Sequence, residues 1–176
     1  MKIILLVFLF LNTFLNATTN DKCLIDDTIM FAIAENERSK HRPIGYPYLI
    51  SFNNSENIEK LGKTLASYLI DSRTIDCKSK TLCVKILNTL IENNITNLDL
   101  GAYQINYIFY KIPFEDYFDI RKSYLKACNI VYNHNKKEAS WKNVAKYHSG
   151  TPKHNKKYKE KLLKNIAKYE NGDSNR

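Results

Sequence analysis

Apolar residues along this chain recur at helical spacing in several separate runs, and nowhere alternate with polar ones for more than a few residues. The first run in the body of the chain is Ile25, Ile29 and Ile33, completed by Met30 and Ala34, which places one apolar face on a helix read over Ile29 to Ser39. The same spacing predicts helices over Ile58 to Ile70, through Leu61, Leu65, Tyr68 and Leu69, and over Thr81 to Ile95, through Leu82, Ile86 and Leu90. Pro113 to Asp119 reads as a short turn or helix start whose Phe114, Tyr117 and Phe118 pack on the core, and a helix follows over Arg121 to Asn135. Trp141 and Val144 lead into an amphipathic helix over Ala145 to Gly150, ended by the glycine. Tyr158, Leu162, Ile166 and Tyr169 space a last helix whose other face is lysine. With no repeat and no sustained strand pattern, the class is mainly α and a single domain.

The apolar stripe of the first helix carries one residue out of character. Glu37 follows Ile33 by four residues and shares its face, whereas Glu35 is about 200° round the helix and looks at solvent. A carboxyl on an apolar stripe loses hydration, and in a last helical turn the negative end of the dipole opposes its ionisation too. Both raise its pKa, which suits a general acid. The alternative is an ordinary ion pair with Arg38, Lys40 or Arg42.

Beyond that helix, Lys40 to Tyr48 contains Pro43, Gly45 and Pro47, which stop helix propagation. Tyr46 and Tyr48 in this loop either offer flat faces to a sugar ring or plug the core. Later, Gly101 permits backbone conformations closed to other residues, and Gln104 and Asn106 carry amides that donate and accept, as sugar hydroxyls and acetamido groups require. Asp99 beside Gly101 reads as a turn cap, with a role as a second acid kept as the alternative.

Residues 1–17 have the form of a secretory signal: Lys2, an apolar run from Ile3 to Leu15, and a cleavage region at Asn16-Ala17-Thr18. The run is short for a membrane span. The domain is then assigned to residues 18–170 and a disordered tail to 171–176. Four cysteines, Cys23, Cys77, Cys83 and Cys128, suggest two disulfides in an exported chain, with three pairings open and no standard zinc-ligand spacing. A formal net charge of +9 suits an anionic partner. After export that points to cell-wall polymer or a membrane surface rather than nucleic acid, the membrane reached only through an uncleaved signal or the basic last helix.

Taken in order, Ile33-Ala34-Glu35-Asn36-Glu37, then Gly101-Ala102-Tyr103-Gln104-Ile105-Asn106, then Ala145-Lys146-Tyr147-His148-Ser149-Gly150 resemble lytic transglycosylases of the soluble, goose-type-lysozyme-like family. The resemblance is closest to members associated with conjugation and type IV secretion. It implies a lysozyme-like fold around a glycan cleft, with Glu37 as the single catalytic acid. Gln104 and Asn106 would form the sugar-binding floor and Tyr147 would stand beside the acid. The family's serine after the acid is Arg38 here, with Ser39 one residue on; its Leu-Met before the glutamine is Ala102-Tyr103; and His148 replaces its asparagine. Ser39, Tyr103 and Tyr46 complete the candidate substrate contacts. Cys128-Asn129-Ile130 is similar to a family stretch whose cysteine pairs with one ahead of the first helix, which implies Cys23–Cys128.

The implied reaction cuts the bond between N-acetylmuramic acid and N-acetylglucosamine in peptidoglycan and leaves 1,6-anhydromuramic ends, with no cofactor or metal. Its expected setting is the periplasm or the secreted fraction, with secretion-system components as further partners. A lysozyme-type hydrolase using Asp99, or a non-catalytic wall-binding scaffold, are the alternatives.

Overall fold

A computed structural model describes residues 22–54 and 62–171 of the protein. The signal assigned to 1–17, the start of the helix expected from Ile58, and residues 172–176 of the tail lie outside these. About half of the described residues are helical, and a small antiparallel sheet stands among the helices. In chain order the elements are α1 (Asp27–Glu37), β1 (Leu49–Phe52), α2 (Lys63–Ala66), β2 (Thr74–Asp76), α3 (Lys80–Glu92), β3 (Leu98–Leu100) and β4 (Ile105–Asn106). They continue with α4 (Phe114–Tyr117), α5 (Ile120–Asn135), α6 (Trp141–Val144) with a 3-10 turn at Ala145–Tyr147, and α7 (Pro152–Glu170).

Short polar side chains start several of these helices by accepting from otherwise unpaired amides of the first turn. Asp26 accepts from the Thr28 amide, Ser79 from Leu82, Asp119 from Arg121 and Lys122, and Ser140 from Asn143. Pro152 occupies the start of α7, where its missing N–H costs nothing. The sheet runs β2-β1-β3-β4, with Ile50 opposite Ile75 on one side and Leu100 on the other, and Leu100 opposite Ile105. All four residues of β1 are buried, which erases the alternation that marks a half-exposed strand.

Met30, Ile33, Ile50, Leu87, Leu90, Leu98, Leu100, Tyr117, Phe118 and Leu162 form the core. α1 lies along α7, with Phe31 and Tyr169 rings 4.8 Å apart and Asn165 donating to Asn36 at 2.9 Å. Disulfides join Cys23 to Cys128, from the segment before α1 to α5, and Cys77 to Cys83. The first is the pairing the resemblance implied. Two disulfides are compatible with an exported chain, and no helix among the described residues is long and apolar enough to cross a membrane.

Several helix boundaries differ from the sequence expectation, and the helix expected over Thr81 to Ile95 ends at Glu92. α1 ends at Glu37 rather than Ser39. The helix expected to reach Ile70 ends at Ala66, because Tyr68 and Ile70 turn to hydrogen-bond Asp76 and Thr74. The helix expected over Ala145 to Gly150 is a single 3-10 turn ending at Tyr147. The segment around Gly101, read only as an amide-bearing loop, is a tight β3–β4 hairpin.

Candidate functional site

Burial of Ala32, Ile33 and Ala34 fixes which side of α1 faces inward, and Glu37, on that side, has a side chain only 13% exposed. The two arginines that follow it are engaged elsewhere. Arg38 pairs with Glu35 at 2.8 Å, and Arg42 pairs with Asp76. Glu37 instead accepts at Oε1 from the Tyr158 hydroxyl of α7, at 2.7 Å. His148 stacks on the Tyr158 ring, centroids 4.8 Å apart and nearly parallel, and brings Nδ1 to 4.0 Å from the same Oε1.

These surroundings push the Glu37 pKa up to about 7. Burial is the main cause; the Tyr158 hydrogen bond opposes it, the Asp99 charge adds to it, and the more distant charges of Lys161 and Arg73 pull it down. Glu37 is therefore a carboxyl still substantially protonated near neutrality, held by a neutral donor.

The β3–β4 hairpin faces Glu37 across a cleft of about 580 Å³, which Glu37, Asp99, Gln104, Asn106, Tyr147 and His148 all line. Gly101 opens its turn at φ +75°, and a Cβ there would run into the Tyr117 carbonyl oxygen, so only glycine fits. Gln104 also takes a left-handed backbone, φ +46°, and gives Nε2 to the Gly101 carbonyl at 2.9 Å. Asn106 donates to Asp99 at 2.8 Å and accepts from the Ile108 amide at 3.0 Å. Burial raises the Asp99 pKa, although side-chain hydrogen bonds from Asn53 and Asn106 oppose the rise. Asp99 thus stands in the cleft on β3, its Oδ1 accepting from a side chain on β4, rather than capping the turn. Tyr147 donates to the Tyr103 carbonyl at 2.6 Å, tying the turn after α6 to the hairpin.

Gln104, Asn106 and Tyr147 are brought together with Glu37, as the three motifs suggested. Tyr46, Ser39 and the Tyr103 ring are not among the residues lining this cleft. Tyr46 gives its hydroxyl to Asp76 at 2.8 Å, satisfying a buried carboxylate on β2. Ser39 accepts from the His41 amide at 3.4 Å within its own loop. Tyr103 packs its buried ring against Tyr124, centroids 6.0 Å apart, and its carbonyl accepts from Tyr147.

Sequence reasoning missed Tyr158 as the partner of Glu37. Its helical spacing with Leu162 marks it as a core residue, and a buried tyrosine needs a partner for its hydroxyl; that requirement was the available signal. No family model, no curated protein and no solved structure matches this chain.

Proposed function

We propose that this protein is a peptidoglycan lytic transglycosylase, exported to the periplasm or beyond, in which Glu37 alone serves as acid and then as base. The observation that carries the proposal is the state of Glu37: a carboxyl with a pKa of about 7, on a neutral hydrogen bond, in a cleft lined by amides and a tyrosine. A group of that kind delivers a proton at neutral pH, where an ordinary carboxylate is already ionised.

In the proposed reaction, Tyr158 occupies Oε1 and leaves Oε2 to carry the proton. Glu37 gives it to the bridging oxygen as the bond to the muramic anomeric carbon breaks, with the substrate's own acetamido group supporting the charge that develops there. The ionised Glu37 then takes the proton of the C6 hydroxyl, whose oxygen closes onto the anomeric carbon. One carboxyl suffices, and no water enters. Gln104 contributes its amide oxygen to the sugar floor, while Asn106 acts chiefly by holding Asp99 and the hairpin. A wall-opening role for a secretion or surface assembly, and a lysozyme-like fold, belong to the same proposal.

Asp99 supports a second reading. It lines the same cleft, and retaining glycosidases place a second carboxylate about 5 Å from the acid as nucleophile. Digestion of purified peptidoglycan, with the muropeptides weighed by mass spectrometry, separates the two. Anhydro ends that disappear in Glu37→Gln support the transglycosylase, products one water heavier support hydrolysis, and no release by the folded, disulfide-bonded protein leaves a wall-binding scaffold.

A further inference from the structure

The proposed reaction uses one side of α7 through Tyr158 and leaves the adjoining edge unexplained. Lys157, Lys161, Lys164 and Lys168 follow one another at spacings of four, three and four, which confines them to about 60° of the helix circumference along about 16 Å of its axis. All four are exposed, and among the described residues none makes an ion pair. Glu160 falls about 40° outside the strip.

The position of this edge is fixed by its neighbours on the same helix. His154 lines the cleft, Tyr158 bonds Glu37, and Lys161 is one turn beyond Tyr158. The strip therefore starts at the cleft's rim and runs away from it along the helix. Round the helix the strip is centred about 50° from the cleft-lining His154 and about 90° from Tyr158, with Lys161 nearest to both and Lys164 on the side away from the buried Asn155. Lys146 lines the cleft itself and adds a cation at its opening.

Sugars with hydroxyls and acetamido groups give ammonium groups no anion to meet. Peptidoglycan does, because its muramic residues carry short peptides with free carboxylates. Resting on the function proposed above, we infer that the lysine edge of α7 docks the carboxylates of peptide stems on the glycan strand whose sugars occupy the cleft. Strands with ionised stems are then the preferred substrate over the same strands with their stem carboxylates amidated. A membrane surface is the weaker occupant, since the strip borders the cleft, where a bilayer would block the sugar chain.

The test compares the mature, disulfide-bonded protein with its Lys157→Gln/Lys164→Gln/Lys168→Gln variant; Lys161 is left in place because its charge acts on Glu37. With stem-bearing glycan the variant is expected to show a KM about tenfold higher at unchanged kcat, and the wild-type KM to rise with salt. With the same glycan after carbodiimide coupling to ammonia has turned its stem carboxylates into amides, the two proteins should be alike. Equal loss on both glycans, or no loss on either, overturns the inference. Cosedimentation of Glu37→Gln with intact and carboxyl-amidated wall tests docking without any cleavage. A preference for intact wall that the lysine changes abolish supports the strip even if the wild type proves to cut nothing, which would sink the proposed function alone. Absence of that preference, or binding to phosphatidylglycerol vesicles in its place, overturns the strip while leaving cleavage to be judged separately.

Discussion

Glu37 and Asp76 are both carboxyls buried in the same small chain, and burial has opposite outcomes for them. For Asp76, fully shielded from solvent, burial alone would raise the pKa, but the Arg42 guanidinium, the Tyr46 hydroxyl and the Lys78 amide outweigh it and hold the group below the ordinary carboxylate range. For Glu37 the single close donor among the described residues is the Tyr158 hydroxyl, and burial prevails. The difference lies in the company each carboxyl keeps. A cation and a backbone amide make Asp76 a permanent anion that ties the Lys40–Tyr48 loop to the sheet, whereas a lone phenol leaves Glu37 able to gain and lose a proton near pH 7.

The largest expected effect comes from deleting the proton. Glu37→Gln should lower wall cleavage by on the order of 10³-fold with the fold intact, measured by release of soluble muropeptides. Asp76→Asn should leave the pH profile of cleavage unchanged, and a shifted profile would break the separation between the two sites.

Next in size is the pH dependence of stability. Folded Glu37 holds its proton up to about pH 7, whereas the unfolded side chain releases it near 4.5. Between those values the folded state binds more protons, so stability falls as pH rises through that window and levels off above it. The total is about 3 kcal/mol. Urea titrations from pH 4 to 8 should show this fall in the wild type and lose it in Glu37→Gln. The same protonation predicts that cleavage declines as pH rises through about 7.

Asp76→Asn should then lower Tm by roughly 5 °C, since Arg42 and Tyr46 lose a charged acceptor on a buried strand. The smallest effect sharpens the role of the phenol. The Tyr158 hydrogen bond favours ionised Glu37, so Tyr158→Phe should move the alkaline limb of the rate profile to higher pH, by up to roughly one unit. A downward move would contradict a donor role for this hydroxyl.

The contrast also explains what the sequence disclosed. The fourfold spacing from Ile33 to Glu37 places a carboxyl on an apolar face, a local fact that helix geometry preserves. Gly101, Gln104 and Asn106 are close in sequence, and so form one hairpin. What stayed hidden depends on distant pairing. β1 is buried at every position and β4 is two residues long, so neither shows a period. Tyr46 goes to Asp76, 30 residues away, rather than to a sugar, because a carboxyl buried on β2 takes its hydroxyl. The seven residues from Phe114 to Ile120 hold both α4 and the first position of α5, and only the Asp119 cap, an acid before a helical run, marks the join.

The bond between Tyr158 and Glu37 spans 121 positions of chain. Glu37 is made early and its hydroxyl partner near the end, so a growing polypeptide holds the acid, the hairpin and the Tyr147 tether before it holds the helix that shelters the acid. A chain shortened ahead of α7 lacks the one hydroxyl that bonds Glu37 among the described residues. The raised pKa of Glu37 is thus a property of the completed polypeptide, since neither the first helix nor the hairpin supplies the Tyr158 side chain that lies against it.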